Sequence, residues 1–173
     1  MFFGTNIEKV LELFVKEPMR GFQLREISRL TKLGLPAVKK YVSELEKKHF
    51  VRKMKGRTYD YYEADRESKG FKVLKIACTL MQIRPAVDDI VSKTMPNAVV
   101  LFGSASRGED TEKSDIDLFV QAKRKDFDFS RIEKTLNRRI SMTFEPDLKK
   151  VSPELLNNLA NGITIYGFLE VAA

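Results

Sequence analysis

Two short motifs separated by one polar loop constrain the fold of this chain more than any other feature. An apolar run over residues 98–102 leads into Gly103 and Ser104, and a second apolar run carries Asp115 and Asp117. Side chains alternate between the two faces of a β-strand, so both aspartates point to one face while the residue between them points into the core. The sequence therefore predicts a strand, a glycine-serine turn and a second strand that presents two carboxylates.

These residue types suit one kind of chemistry. Two close carboxylates repel each other unless a cation lies between them, and oxygen ligands suit Mg²⁺ or Mn²⁺. The turn at Gly103 and Ser104 offers backbone N–H groups and a hydroxyl that can hold phosphate oxygens. A metal site beside a phosphate-binding turn is what phosphoryl or nucleotidyl transfer requires. We expect Asp115 and Asp117 to be catalytic metal ligands.

The order of these features resembles the signature of the DNA polymerase β-like nucleotidyltransferase superfamily, and its inner pattern is similar to that of the minimal nucleotidyltransferases. The resemblance implies a mixed sheet flanked by helices and a metal-dependent transfer of a nucleoside monophosphate, with ATP as the expected donor. The acceptor would be a protein or a nucleic acid, and a partner protein is one such acceptor. Residues implied to bind the nucleotide and its phosphates are Gly103, Ser104, Arg107 and Ser114.

The third carboxylate that active members of this superfamily generally use is missing from its expected place. The expected strand spans residues 140–144, and the position for the acid holds Ser141. Glu145 has the right parity but lies about 13 Å further along, at about 3.3 Å per residue. We take Glu145 as the third catalytic candidate, since the hydroxyl of Ser141 cannot act as a carboxylate base.

Two hypotheses about activity therefore stay open. In the first, the chain is an active, metal-dependent nucleotidyltransferase that also binds DNA. In the second, it is a transcriptional regulator whose catalytically degenerate nucleotidyltransferase domain senses a nucleotide or dimerises. The missing third acid favours the second hypothesis, and the glycine-serine turn with its two aspartates favours the first.

The positive charge of the chain is concentrated at its N-terminal end. Residues 1–70 contain 16 Lys and Arg against 10 Asp and Glu, a net charge of +6, whereas residues 71–173 contain 15 against 14, a net charge of +1. Such a concentration is typical of a domain that binds a polyanion. With one His and one Cys in the chain, a zinc site is not expected.

Apolar periodicity predicts helices over residues 6–16, 22–30 and 36–48 and short strands over residues 50–54 and 58–63. This order resembles a winged helix-turn-helix, which implies binding to double-stranded DNA. In that resemblance the DNA contacts are Leu35, Ala37, Lys39, Lys40 and Tyr41 on the third helix and Lys53, Lys55 and Arg57 on the hairpin. A winged helix used only for protein contacts or dimerisation is the alternative.

The expected fold class is a two-domain protein of α+β or α/β type. Its parts are a winged helix-turn-helix at residues 1–67, a helical connector at 68–96 and a nucleotidyltransferase-like domain at 97–173. The connector is predicted as one helix over 67–83 that ends before Pro85, with a further turn or two over 86–93. Cys78 is expected to pack in a core. A further helix is predicted over residues 130–139, with Ser130 as its cap.

Composition and the connector also predict the surroundings of the protein. No run of residues reaches the roughly 18 apolar positions of a membrane span, so we expect a cytoplasmic protein without a membrane partner. The connector carries a broad apolar surface, and winged-helix proteins often bind DNA as dimers. We therefore expect a homodimer.

Overall fold

A computed structural model describes residues 4–169, so the first three and last four residues of the predicted domains lie outside the described part. The chain divides into two compact units, Met1–Lys75 and Ile76–Ala173. The division falls within the predicted connector, inside a single helix, α4 (Lys69–Thr94). Within residues 4–169, no helix combines the length and apolarity that crossing a bilayer needs.

The N-terminal unit consists of three helices, an antiparallel hairpin and the first turns of α4. Its elements are α1 (Asn6–Lys16), α2 (Leu24–Thr31), α3 (Leu35–Lys47), β1 (Val51–Met54) and β2 (Tyr61–Ala64). In the hairpin Val51 lies opposite Ala64 and Met54 opposite Tyr61. The three predicted helices and the two predicted strands are all present; α1 has the predicted ends, and the ends of the other four elements are shifted.

The second helix begins two residues later than the sequence predicted, because Phe22 belongs to an extended segment. The Phe22 N–H donates to the Tyr62 carbonyl at 2.7 Å, and the Tyr62 N–H donates to the Phe22 carbonyl at 2.8 Å. The buried Phe22 ring meets Phe14 edge to face, with 5.3 Å between ring centroids. Phe22 fitted the spacing of a helix, but it reaches the core from an extended segment that pairs with Tyr62.

The helices of this unit pack through their apolar faces, as the spacing predicted. Fully buried side chains come from each helix and from the extended segment, and they include Val10, Phe14, Phe22, Ile27, Val38 and Phe71. At the start of α1, the Thr5 N–H donates to Glu8 Oε2 at 2.8 Å. This bond, the largest of several effects, lowers the pKa of Glu8 from its ordinary value.

Helix α4 corrects the prediction of a break before Pro85, because it continues through this residue to Thr94. A proline in a helix removes one hydrogen bond and crowds the carbonyl four residues earlier. On either side of it, Ile83, Ala86 and Ile90 are completely buried in the core of the C-terminal unit. We attribute the continuity of the helix to this packing. Cys78 is buried, as predicted.

The C-terminal unit contains a four-stranded mixed sheet with strand order β5-β4-β3-β6. Its elements are β3 (Ala98–Phe102), α5 (Gly103–Ser106), β4 (Ile116–Val120), α6 (Ser130–Leu136), β5 (Ile140–Phe144), a 3-10 turn (Leu148–Lys150), α7 (Pro153–Ala160) and β6 (Ile163–Gly167). Strand β3 pairs antiparallel with β4 and β6, and β4 pairs parallel with β5. The mixed sheet flanked by helices agrees with the predicted fold class.

Apolar side chains cover both faces of this sheet. One face packs against α4 and is formed by alternate strand residues such as Val99, Leu101, Ile116, Leu118 and Ile140. The other face buries Val100 and Phe119 under Val151 and Leu159. Because Asp117 has the parity of Phe119, its carboxylate belongs to this second face, at the beginning of β4.

Helix α6 is shorter than predicted, and its first turn differs. It ends at Leu136 instead of Arg139, because Asn137 adopts a left-handed conformation with φ of +52°. Ser130 is the first helical residue rather than the cap, and its N–H donates to Asp128 Oδ1 at 2.9 Å. Arg138 therefore lies in the connection between α6 and β5, outside any helix.

Candidate functional site

The chain turns sharply where β3 ends, and Gly103 makes this turn possible. Its φ of +71° lies in the left-handed region that glycine tolerates best. A Cβ atom at this position would lie 2.6 Å from Asp117 Oδ2. Any other residue would therefore strain the backbone and collide with the carboxylate, so the Gly103 backbone and the Asp117 carboxylate lie directly against each other.

The register of the sheet brings the predicted motifs together. Phe102, the last residue of β3, is opposite Asp117 near the start of β4. Asp115 is exposed and precedes the strand, whereas Asp117 is half-buried. The pKa of Asp117 is raised from its ordinary value, first by burial and then by the negative charge of Asp115, while the positive charge of Arg138 lowers it. The two aspartates are thus close enough to repel each other.

The turn after Gly103 is held by bonds within the motif. The Ser104 carbonyl accepts from the N–H groups of Arg107 at 3.2 Å and Glu109 at 3.0 Å. The Ser106 hydroxyl, which sequence analysis did not single out, donates to the Gly103 carbonyl at 2.8 Å. These bonds shape a compact turn at the end of β3, beside the Asp117 carboxylate.

The two other predicted phosphate-binding residues are engaged with the protein. Arg107 Nε donates to Glu109 Oε2 at 2.9 Å, and both side chains are exposed. The Ser114 hydroxyl accepts from the Thr111 N–H at 2.9 Å and closes a turn between these residues. Arg107 can exchange its exposed carboxylate partner for another anion, whereas Ser114 shapes the loop that leads to Asp115.

The position of the missing third carboxylate is now defined by the pairing of β4 with β5. Ser141 is the register partner of Asp117. Glu145 lies beyond the end of β5, four residues further along, and its Oε1 accepts from the Asp147 N–H at 3.0 Å. The structure therefore does not bring Glu145 to the aspartate pair. Among residues 4–169 no group of three or more His, Cys, Asp or Glu side chains is arranged to hold a metal.

The two aspartates fit the donor set of Mg²⁺ or Mn²⁺. Mg²⁺ in proteins is commonly bound by one or two carboxylates and completes its shell with water and substrate phosphate oxygens. The pKa of Asp117 is raised first by burial and then by repulsion from Asp115, and a cation between the carboxylates would relieve this repulsion. Asp115 and Asp117 therefore suit a metal that arrives with a nucleotide.

Sequence analysis missed a residue that joins the loop to the sheet. Arg138 Nη1 donates to Asp110 Oδ2 at 2.7 Å, and its Nε donates to the Ser114 carbonyl at 2.8 Å. A third bond runs from Nη2 to the Asp115 carbonyl at 3.2 Å. The partners are more than twenty positions away in the chain, so no local pattern distinguishes Arg138 from Arg139.

The predicted DNA contacts fall into different environments in the N-terminal unit. Lys39 and Lys40 are exposed near the start of α3, beside the half-buried Leu35 and Ala37. Tyr41 packs in part against the core of this unit, so the structure uses much of this side chain for packing.

The hairpin carries the other predicted contacts. Lys53 forms an ion pair with Asp60 at 2.7 Å, which raises the pKa of the lysine. Lys55 and Arg57 are exposed in the loop between the two strands. The structure thus presents Lys39, Lys40, Lys55 and Arg57 as exposed cations.

Comparison with protein families agrees with the geometry of the C-terminal unit. Residues 86–167 match the family described as polymerase beta, nucleotidyltransferase. Over these residues the C-terminal unit is thus similar to polymerase β-like nucleotidyltransferases. The matched residues include all four strands of the sheet, the glycine-serine turn and the aspartate pair. Searches of curated proteins and of solved structures found no match.

Proposed function

We propose that this protein is a metal-dependent nucleotidyltransferase that transfers a nucleoside monophosphate, AMP as the expected one, from a nucleoside triphosphate to an acceptor. The acceptor is a protein or a nucleic acid. The observation that carries the proposal is the close approach of the Gly103 backbone to the Asp117 carboxylate, with Asp115 beside it. It supports the proposal because a glycine-serine turn can bind phosphate and two neighbouring carboxylates can bind a cation.

Each part of the site has a role in this proposal. Asp115 and Asp117 hold Mg²⁺ or Mn²⁺, which supplies charge neutralisation at the phosphate oxygens. Gly103 and Ser104 orient the triphosphate, because a glycine turn allows close approach of the backbone to phosphate. Arg107 exchanges Glu109 for the triphosphate and balances the negative charge that develops on the leaving group.

One observation favours a second function for the same site. Ser141 stands opposite Asp117, where a carboxylate base would be needed to accept the proton of the attacking hydroxyl. Without that base, the turn and the aspartate pair can still bind a nucleotide. The second candidate is therefore a nucleotide-sensing or dimerising domain in a transcriptional regulator.

We further propose that the N-terminal unit is a winged helix-turn-helix that binds double-stranded DNA. The support is the order of three helices and a hairpin, together with exposed Lys39 and Lys40 on α3 and Lys55 and Arg57 in the hairpin loop. Self-association as a homodimer stays a prediction, to be measured by light scattering.

The decisive experiment incubates the protein with α-labelled ATP, Mg²⁺ or Mn²⁺, and candidate protein and nucleic-acid acceptors. We expect label to be transferred by the wild type and lost in Asp115→Asn and Asp117→Asn. The matched control is Asp126→Asn, which removes an exposed aspartate from a loop outside the site. If the protein binds the nucleotide but transfers no label to any acceptor, the nucleotide-sensing function is favoured over the enzymatic one. If transfer persists in both Asp115→Asn and Asp117→Asn, these aspartates are not the site.

A further inference from the structure

We infer that Arg138 is a positioning residue that ties the loop before β4 to the sheet and so holds Asp115 at the metal–nucleotide site. This inference rests on the proposed function, because it concerns the same two aspartates. Arg138 acts through the loop and not on the substrate. Its three hydrogen bonds end on the carboxylate of Asp110 and on the backbone carbonyls of Ser114 and Asp115.

The loop in question runs from the end of α5 to the start of β4. Its two ends are fixed by backbone bonds, from the Glu109 N–H to the Ser104 carbonyl at 3.0 Å and from the Ile116 N–H to the Arg139 carbonyl at 2.9 Å. Between these ends, the described hydrogen bonds of residues 111–114 stay within one turn, apart from the bond to Arg138. Arg138 therefore supplies the tie of this segment to the sheet.

The ion pair between Arg138 and Asp110 is almost completely buried. The side chain of Arg138 is 11% exposed, and that of Asp110 is 1% exposed. A buried charge that loses its partner is strongly destabilising, so the two groups hold each other in place. By contrast, Arg107 and Glu109 in the same loop form an exposed pair, which contributes little.

Arginine has the geometry that this position demands. A planar guanidinium presents donors in fixed directions and can reach a carboxylate and two carbonyls at once, whereas lysine offers a single flexible charge. All three nitrogens of Arg138 already donate a hydrogen bond, and the side chain is nearly buried. These bonds use three of the five N–H donors of Arg138 on the loop, whereas Arg107 is exposed.

The backbone around Arg138 is itself anchored. Asn137 ends α6 in a left-handed conformation, and the neighbouring Arg139 carbonyl accepts the Ile116 N–H. Arg138 is thus fixed next to the first residues of β4 and β5, which form parallel partners from Ile116 and Ile140 onward. Because the anchor belongs to the sheet, the loop that it holds takes its position from the sheet.

The test compares Arg138→Met, Arg138→Lys and Asp110→Asn with the exposed control Arg131→Met. The first readout is Mn²⁺ affinity, measured by calorimetry with and without ATP. Loss of a group that orients a metal ligand typically weakens binding about 10- to 100-fold. We expect such a loss in Arg138→Met, a smaller loss in Arg138→Lys and Asp110→Asn, and no change in the control.

The second readout is amide hydrogen exchange of residues 109–117 without metal, which we expect to be faster in Arg138→Met and unchanged in Arg131→Met. If a folded Arg138 variant exchanges residues 109–117 as slowly as the wild type, Arg138 does not hold the loop. If such a variant binds Mn²⁺ as tightly as the wild type, Arg138 does not position the metal ligands. If Arg138→Met does not fold, Arg138→Lys and Asp110→Asn decide both points. A wild type that binds no Mn²⁺ would refute the proposed function, while the exchange experiment would still decide whether the tie exists.

Discussion

One ion pair from each unit of this protein shows two different ways of holding charged side chains. In the N-terminal unit, Arg20 and Glu17 form a pair at the surface, with side chains that are 44% and 41% exposed. In the C-terminal unit, Arg138 and Asp110 form a nearly buried pair that fixes a loop. Exposed pairs contribute little individually, whereas breaking a buried one is costly. Substitution of Arg138 or Asp110 should therefore cost more than substitution of Arg20 or Glu17.

The largest effect is expected from Gly103→Val, which tests whether the C-terminal unit depends on one backbone position. A β-branched residue at φ of +71° costs about 1–3 kcal/mol from backbone strain alone, and its Cβ would displace the Asp117 carboxylate. We expect a lower free energy of unfolding in urea and loss of ATP binding. The control is Gly4→Ala, since an added Cβ at Gly4 meets no atom within 4 Å. Unchanged ATP affinity in folded Gly103→Val would show that the turn is not the phosphate site.

The next effect concerns Ser141, which stands where the third carboxylate of the site is expected. Ser141→Asp restores a carboxylate at the register partner of Asp117. A positioned general base contributes about 10²- to 10⁴-fold to a transfer rate, so we expect the rate of AMP transfer to rise by about 100-fold or more in Mg²⁺.

The matched control for this gain is Thr143→Asp, which adds the same charge on the same face of β5 but opposite Phe119. We expect no gain from it. A rate that does not respond to Ser141→Asp, in a protein that binds ATP normally, would show that another group already accepts the proton. Equal gains in both variants would indicate a general effect of charge.

The two units also differ in how far the sequence predicts them. In the N-terminal unit helical periodicity located α1, α2 and α3, because each buries one face in a local core. Phe22 broke the pattern, since its partner Tyr62 lies forty positions away and extended pairing leaves no helical signature. In the C-terminal unit, the break predicted before Pro85 was wrong, because buried neighbours on both sides override the local tendency of proline to end a helix.

In the C-terminal unit the motif predicted the aspartate pair and the glycine turn, since these residues are close in the sequence and few arrangements accommodate them. The sequence also indicated that Ser141 occupies the place of the third acid, and the parallel pairing of β4 with β5 places it opposite Asp117. It could not reveal Arg138, because an arginine at the end of a predicted helix is usually a solvated charge. Only the fold brings Asp110, Ser114 and Asp115 around it.

A smaller and additive effect is expected on DNA binding by the N-terminal unit. Lys39→Ala/Lys40→Ala removes two exposed charges from the start of α3, and Lys47→Ala/Lys48→Ala removes two from its end. If the start of α3 contacts DNA, the first pair should make the plot of log affinity against log salt less steep by about 1 for each lost phosphate contact. The second pair should change it less. Equal slopes in a gel-shift series would refute a specific role for this part of the helix.

The smallest effect is expected at the start of α1. Because the folded state lowers the pKa of Glu8, the carboxylate stabilises the fold at pH values above its unfolded pKa, and this contribution is lost as the pH falls through the folded value. Glu8→Ala should therefore reduce the free energy of unfolding slightly at pH 7, and the difference from the wild type should vanish once the carboxyl is protonated in both states. Glu8→Gln, which keeps an acceptor for the Thr5 N–H, should lose less at neutral pH. Urea denaturation at about pH 7 and about pH 3 measures both differences in the free energy of unfolding. If Glu8→Ala lowers this free energy equally at both pH values, the substitution disturbs helix packing and not the charged cap.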